Sequence, residues 1–189
     1  MHSAYVNATI RLGIPETSLP ALEEYLQITP GNNQTGQIKY FIGMVLQHLG
    51  RYEEAITNYE SSLELMSGIE DIAIVTKQTI GAYNFLAANL MQQQKTEEAI
   101  PILDKSLALS QDDNVSATIL YLKGLAFSDL GAVSTAIDFF QYSLEKAPNG
   151  QHVSEIHHQL ALAHGKLGNT TLANEHFQHC LLYTSPSPR

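Results

Sequence analysis

The sequence predicts an all-α solenoid, a stack of antiparallel helix pairs, on three observations. One phrase recurs along the chain at a nearly fixed period. Apolar residues within each copy keep helical spacing, and a small residue marks the same place in every copy. The phrase is Leu49-Gly50-Arg51-Tyr52-Glu53-Glu54-Ala55-Ile56. It returns as Gln94-Lys95-Thr96-Glu97-Glu98-Ala99-Ile100, as Leu130-Gly131-Ala132-Val133-Ser134-Thr135-Ala136-Ile137 and as Leu167-Gly168-Asn169-Thr170-Thr171-Leu172-Ala173-Asn174, with a weaker copy beginning at Leu12-Gly13. Alignment puts Ser18, Ala55, Ala99, Ala136 and Ala173 in one column, spaced by 37, 44, 37 and 37 residues. A fixed period in this range is the signature of a stacked repeat. The longer interval exceeds the others by close to two helical turns, which keeps the apolar faces nearly in phase.

Further columns define the pairs. Twelve residues before each small residue stand Val6, Gly43, Ala87, Gly124 and Ala161; four residues after it stand Leu22, Tyr59, Leu103, Phe140 and Phe177. Each copy thus carries two apolar stripes at spacings of three, four and seven, the period of a half-buried helix. A short turn separates them, usually with Gly at the helix end, where the left-handed conformation costs least. Small residues such as Gly43 and Ala87 on the first helix are expected to face Ala55 and Ala99 on the second, letting two backbones approach.

In chain order, helices are expected near 2–12 and 18–28, the latter starting late because Pro20 suits a first turn. Pairs follow near 35–49 and 52–66, 70–93 and 96–109, 114–130 and 133–146, and 151–167 and 170–179. Pro101 falls early in its helix and is expected to bend it slightly. The stretch Asp71-Ile72-Ala73-Ile74-Val75 is β-branched enough for a strand, but it continues at helical spacing into Ala82–Leu90, so an extended helix is preferred.

The small residues at the eighth and twentieth positions, the turn Gly, the large residue at the twenty-fourth and the late Pro30 and Pro148 together resemble the tetratricopeptide repeat. The resemblance covers residues 1–179 as repeats of about 1–33, 34–68, 69–113, 114–150 and 151–179, and it implies a right-handed superhelix. Three departures stand out: no Trp at the fourth position, Gln94 in place of the turn Gly, and Lys123 at a usually apolar position. The last residues, 180–189, resemble a translated sequencing adapter and are set aside as a non-native read-through tail, so the natural chain is expected to continue past His179. Cys180 and Leu181 nevertheless suit the repeat positions they occupy.

Composition narrows the function classes. Net charge is -9 and no Lys/Arg-rich run interrupts it, which argues against nucleic acid or an anionic membrane as the main partner. No stretch approaches the length of a membrane span, and no signal peptide is visible, which favours the cytoplasm. Four Asn-x-Ser/Thr triplets, at Asn7, Asn33, Asn114 and Asn169, are read as chance. The single cysteine excludes a disulfide within the chain.

Candidate chemistry is sparse, and neither a catalytic residue nor a cofactor is assigned. No phosphate loop, nucleophile elbow or His-Glu-x-x-His is found. Glu53-Glu54 and Glu97-Glu98 open helices, where carboxylates complement the helix dipole. Six of the eight histidines crowd the last repeat. His157 and His164 share a helical face, with His176 and His179 on the next helix, a spacing compatible with metal. Because His157 and His164 occupy the fourth and eleventh repeat positions, where the resemblance implies aromatic packing residues, they are read as aromatic substitutes and no metal is assigned. A pH-sensitive packing role stays open.

The resemblance implies a non-catalytic scaffold that binds a peptide or partner domain on the concave face, lined by the first helix of each pair. That lining is Gln37, Tyr40, Met44 and Gln47; then Gly81, Asn84, Ala88 and Met91; then Thr118, Tyr121, Leu125 and Ser128; then Glu155, His158, Leu162 and Gly165. It offers Tyr and Met anchors but no Lys or Arg, which speaks against a clamp for terminal carboxylates. Tyr40 and Tyr121 have two open readings, partner anchors or packing between neighbouring repeats. The alternative function is a docking segment of a larger enzyme, such as a glycosyltransferase or sulfotransferase; a homo-oligomeric assembly factor is a third.

Overall fold

The computed structural model describes residues 6, 8–9, 11–28, 32–66 and 72–184, with the backbone alone at 32 and 181–184. The described residues are helices joined by turns and short irregular links, with no strand among them. A 3-10 turn at Pro15–Ser18 leads into α1 (Leu19–Ile28). There follow α2 (Asn32–His48), α3 (Tyr52–Leu65), α4 (Ile72–Gln92), α5 (Thr96–Leu109), α6 (Asp113–Asp129), α7 (Val133–Lys146), α8 (Val153–Lys166) and α9 (Thr170–Thr184). The β-branched run before Ala82 is helix, as its spacing predicts. The first expected helix, near 2–12, lies largely outside the described residues, though Val6, Ala8, Thr9 and Arg11 are helical. The helix expected near 18–28 begins one residue later, because Ser18 ends the 3-10 turn and its hydroxyl donates to Pro15 O at 2.7 Å. The last helix runs past its expected end at 179 to Thr184.

The chain divides into two compact units, Met1–Leu86 and Ala87–Arg189. In the first unit α1 packs on α2 and α2 on α3. In the second, α5 packs on α6, α6 on α7, α7 on α8 and α8 on α9.

The turns repeat one geometry. Gly50, Gly131 and Gly168 have φ of 74, 76 and 78°, and Gln94, which replaces the fourth glycine, is held at 63°. At each, the residue after it donates its N–H five residues back: Arg51 to Leu46 O, Lys95 to Leu90 O, Ala132 to Phe127 O and Asn169 to His164 O, each at 2.9 Å. This bond satisfies a carbonyl left over at the helix end. Gln94 keeps the turn at a backbone cost that glycine avoids.

Helix approach differs from the expectation in one respect. A Cβ at Gly43 would lie 2.7 Å from the Tyr59 ring, and one at Gly124 would lie 2.4 Å from the Phe140 ring. The room left by these glycines is therefore filled by the large residue four positions past the small column, not by Ala55 or Ala136. Tyr59, Leu103 and Phe140 are all fully buried, as are Ala55, Ala99 and Ala136.

A second column escapes hydropathy reading. Seven residues past the small residue stand Ser62, Ser106, Ser143 and Cys180. Ser62 donates to Gly36 O at 2.8 Å and Ser143 to Ala117 O at 2.7 Å, each fastening a second helix to the start of the first. Both hydroxyls are buried, so the bond also removes a desolvation cost. Cys180 stands 3.4 Å from the Ser154 hydroxyl at the matching place.

Lys123, the charged residue at an apolar position, is buried to 8% exposure. Its ammonium reaches Asp104 at 2.6 Å and lies 4.4 Å from the centre of the Phe139 ring. The stem packs as an apolar residue while the head keeps a counter-charge.

Candidate functional site

In the first unit the predicted lining residues lie on α2 and α4. Gln37 is exposed, and Tyr40, Met44, Gln47 and Asn84 are half-buried. The Tyr40 ring leans on Phe41 at 5.4 Å and on Tyr59 at 6.1 Å. Gln47 is more committed to the fold than its sequence position suggests, because its side-chain carbonyl accepts the Tyr59 hydroxyl at 2.8 Å. Burial raises the Tyr59 phenol well above the ordinary range, with Tyr40 adding to the effect. The nearby Tyr83 hydroxyl donates to the Glu60 carboxylate, and burial and that bond raise it as well. Gly81 lies alongside Gln47.

In the second unit Ala88 and Met91 occupy the end of α4 and are half-buried. On α6, Thr118 donates its hydroxyl back to Asn114 O at 3.1 Å, and Leu125 packs against the core of Ala136, Ile137, Phe140, Ile156, Leu160 and Ala163. Ser128 is half-buried. Tyr121 leans on Phe140 at 6.1 Å and stacks on His152 at 5.0 Å. Desolvation, helped by Glu155, raises its phenol. The ring thus bridges α7 and the cap residue of α8, one of the two roles its position predicts, and stays half-exposed. On α8, Leu162 is 43% exposed, and His158 is exposed with its ring edge on Phe177 at 5.9 Å.

A groove of about 590 Å³ bounded by the end of α5, α6 and α7 was not marked by the sequence pattern. Its walls include Leu107, Asp113, Leu120, Tyr142 and Lys146, with Lys146 paired to Asp113 at 2.9 Å. The available signal was Tyr142, an aromatic residue on the polar side of its helix that is 53% exposed. A second groove, about 550 Å³, holds Met91 beside Glu97, Glu98 and Asp129.

The paired glutamates lie exposed in the first turns of α3 and α5, as expected from the helix dipole. Glu54 accepts from Arg51 Nε at 2.6 Å, a bond that lowers its carboxyl.

The histidines come together between α8 and α9. His157 and His176 face each other Nδ1 to Nδ1 at 2.9 Å. His179 stacks on His157 at 5.0 Å, and His164 stacks on His176 at 5.5 Å with planes 2° apart. Among the described residues no group of three His, Cys, Asp or Glu side chains is arranged to hold a metal ion. No helix among them is long and apolar enough to cross a membrane.

Two segments, residues 36–65 and 79–112, match the tetratricopeptide repeat. Similar solved structures include MamA (41-end) from Desulfovibrio magneticus RS-1, at 22% identity and TM-score 0.62, with 95% of this chain and 91% of that one covered. The apo form of RapI aligns at TM-score 0.70 and 16% identity over 95% of this chain and 68% of that one. YrrB, described as "a TPR protein with an unusual peptide-binding site", aligns at TM-score 0.62 and 16% identity over 97% and 84%. At these identities the likeness concerns the fold. No curated protein matches the sequence.

Proposed function

The chain is a tetratricopeptide-repeat protein, and from that premise we propose that it is a non-catalytic scaffold whose first helices bind a peptide or partner segment. The observation that carries this reading is the character of the first-helix faces. In the first unit the half-buried Tyr40 and Met44 share the first helices with the neutral polar Gln37 and Asn84, and in the second the half-buried Tyr121 and the exposed Leu162 share them with Ser128. Rigid aromatic and adaptable Met side chains are the usual anchors of an interface. The lining has no cation to seat a carboxylate or phosphate, so a neutral, mixed polar–apolar segment suits it, extended or helical. The net charge of -9 disfavours nucleic acid. The peptide-binding site in the description of YrrB supports the same reading.

A random-peptide display selection on the full chain tests it. Tyr40→Ala with Tyr121→Ala is expected to weaken selected peptides about tenfold or more while far-UV circular dichroism stays unchanged. Unchanged affinity in the folded double variant would reject the first-helix faces as the binding surface.

A further inference from the structure

We propose that the seam between α8 and α9 is an acid-sensitive latch, in which stacked neutral histidines hold the last helix in place and a second proton releases it. The inference rests first on equivalent positions one repeat apart. His164 and His176 stand 37 residues after Phe127 and Phe139. The phenyl pair stacks at 5.1 Å with planes 9° apart, and the imidazole pair stacks at 5.5 Å with planes 2° apart. His157 likewise stands where α6 has Leu120. The last seam therefore keeps the shape of its neighbour and exchanges inert side chains for titratable ones.

The proton count follows from the 2.9 Å separation of the His157 and His176 Nδ1 atoms. One proton between them makes a hydrogen bond, whether the pair is neutral or carries a single charge. A second proton sets N–H against N–H and adds a second charge within the stack. Nδ1 of His164, 7% exposed, has no hydrogen-bond partner in the stack. Burial pushes the His157 ring down, with His179 adding to it. Burial, then His157, His164 and His179, pushes the His176 ring down to about 4. The other charged or titratable groups on these helices are Glu155, His158 and Lys166 on α8 and Glu175, Cys180 and Tyr183 on α9. On α7, which packs on α8, they are Asp138, Tyr142, Glu145 and Lys146. No carboxylate contributes to the shift of either ring.

The sign is that of a depressed histidine. The folded seam is neutral where the detached helix would already take up protons, so docking weakens as pH falls below about 6.5. The loss is complete near the His176 value of about 4.

Hydrogen exchange on the full chain at pH 7 and 4.5, corrected for intrinsic rates, tests this directly. Protection of α9 is expected to fall at least about tenfold, while α7 in the same sample keeps its protection. The variant His157→Leu/His164→Phe/His176→Phe carries the residues of the neighbouring seam and is expected to lose less than about twofold. Retained α9 protection at pH 4.5 in the natural sequence, or an equal loss in the variant, would overturn the latch. Should the variant not fold, an NMR titration of the histidine ring protons in the natural sequence decides. Both His157 and His176 taking up protons near the ordinary value, with the α9 amides unmoved, would also overturn it.

Discussion

The helix pair α6–α7 and the pair α8–α9 are built on one plan, with equivalent positions 37 residues apart, yet they differ at nearly every large side chain of the seam. Phe140 is fully buried where Phe177 is 39% exposed, and the buried Lys123 stands where the last pair has the buried Leu160. The Phe127–Phe139 stack becomes the His164–His176 stack. The backbone plan survives because shape is what the seam requires: a small residue, a flat ring beside another, and a turn that admits positive φ. Chemistry is free to change within that shape. The first helix shows how closely size is matched. Gly124 faces Phe140, and Gly43 faces the equally buried Tyr59, whereas Ala87 accompanies Leu103. Ala161 accompanies a Phe177 that lies partly outside.

The largest break in the comparison should come from the second-helix rings. Phe140→Ala removes a fully buried ring and is expected to cost about 3–5 kcal/mol. Phe177→Ala, at a site already 39% open to water, should cost about 1 kcal/mol or less. Urea unfolding of the two variants measures the difference; equal losses would mean that the last pair is packed as tightly as its neighbour.

Glycines sharpen the comparison at a smaller scale. A Cβ at Gly124 would meet the Phe140 ring at 2.4 Å, and a ring with no exposed edge has nowhere to go, so Gly124→Ala should cost about 1–3 kcal/mol. Gly165 in α8 has nothing within 4 Å of an added Cβ. Gly165→Ala should therefore stabilise by about 0.5–1 kcal/mol through lost chain entropy alone. Thermal unfolding of both variants should show shifts of opposite sign.

These contrasts also mark how far the sequence could be read. The turns were legible because Gly50, Gly131 and Gly168 need positive φ and recur in phase; Gln94 was legible only as a departure, and the structure shows the same geometry maintained against its side chain. The serine column was not legible from hydropathy, because Ser62 and Ser143 are small polar residues on otherwise apolar faces and their carbonyl partners lie 26 positions earlier. His157 and His164 were legible as aromatic substitutes only through the resemblance, which puts them at the fourth and eleventh repeat positions; the neighbouring repeat holds Leu120 and Phe127 there. The Nδ1 contact of His157 and His176 was not, since it depends on rotation about side-chain bonds that spacing does not specify. For the candidate surface, column positions placed Tyr40, Met44 and Tyr121 on first helices. The periodicity carried no information on the Gln47–Tyr59 bond or on the stacking of Tyr121 against His152, which draw those residues into the fold.

Lys123 offers the finest test, because the last pair supplies its own answer at Leu160. The ammonium of Lys123 is paired, but Asp104 is 55% exposed and regains water easily if the partner is removed. The lost contributions are one half-solvated ion pair and one cation–π contact with Phe139, each worth at most about 1 kcal/mol. Against them stands the cost of holding an ammonium in a buried seam, which an apolar residue of similar reach avoids. Lys123→Leu should therefore leave stability within about 1 kcal/mol of the natural sequence, with the gain and the loss nearly cancelling. A loss of about 3 kcal/mol or more in urea unfolding would show that the Lys123–Asp104 pair, and not the shape of the seam, holds α5 and α6 together.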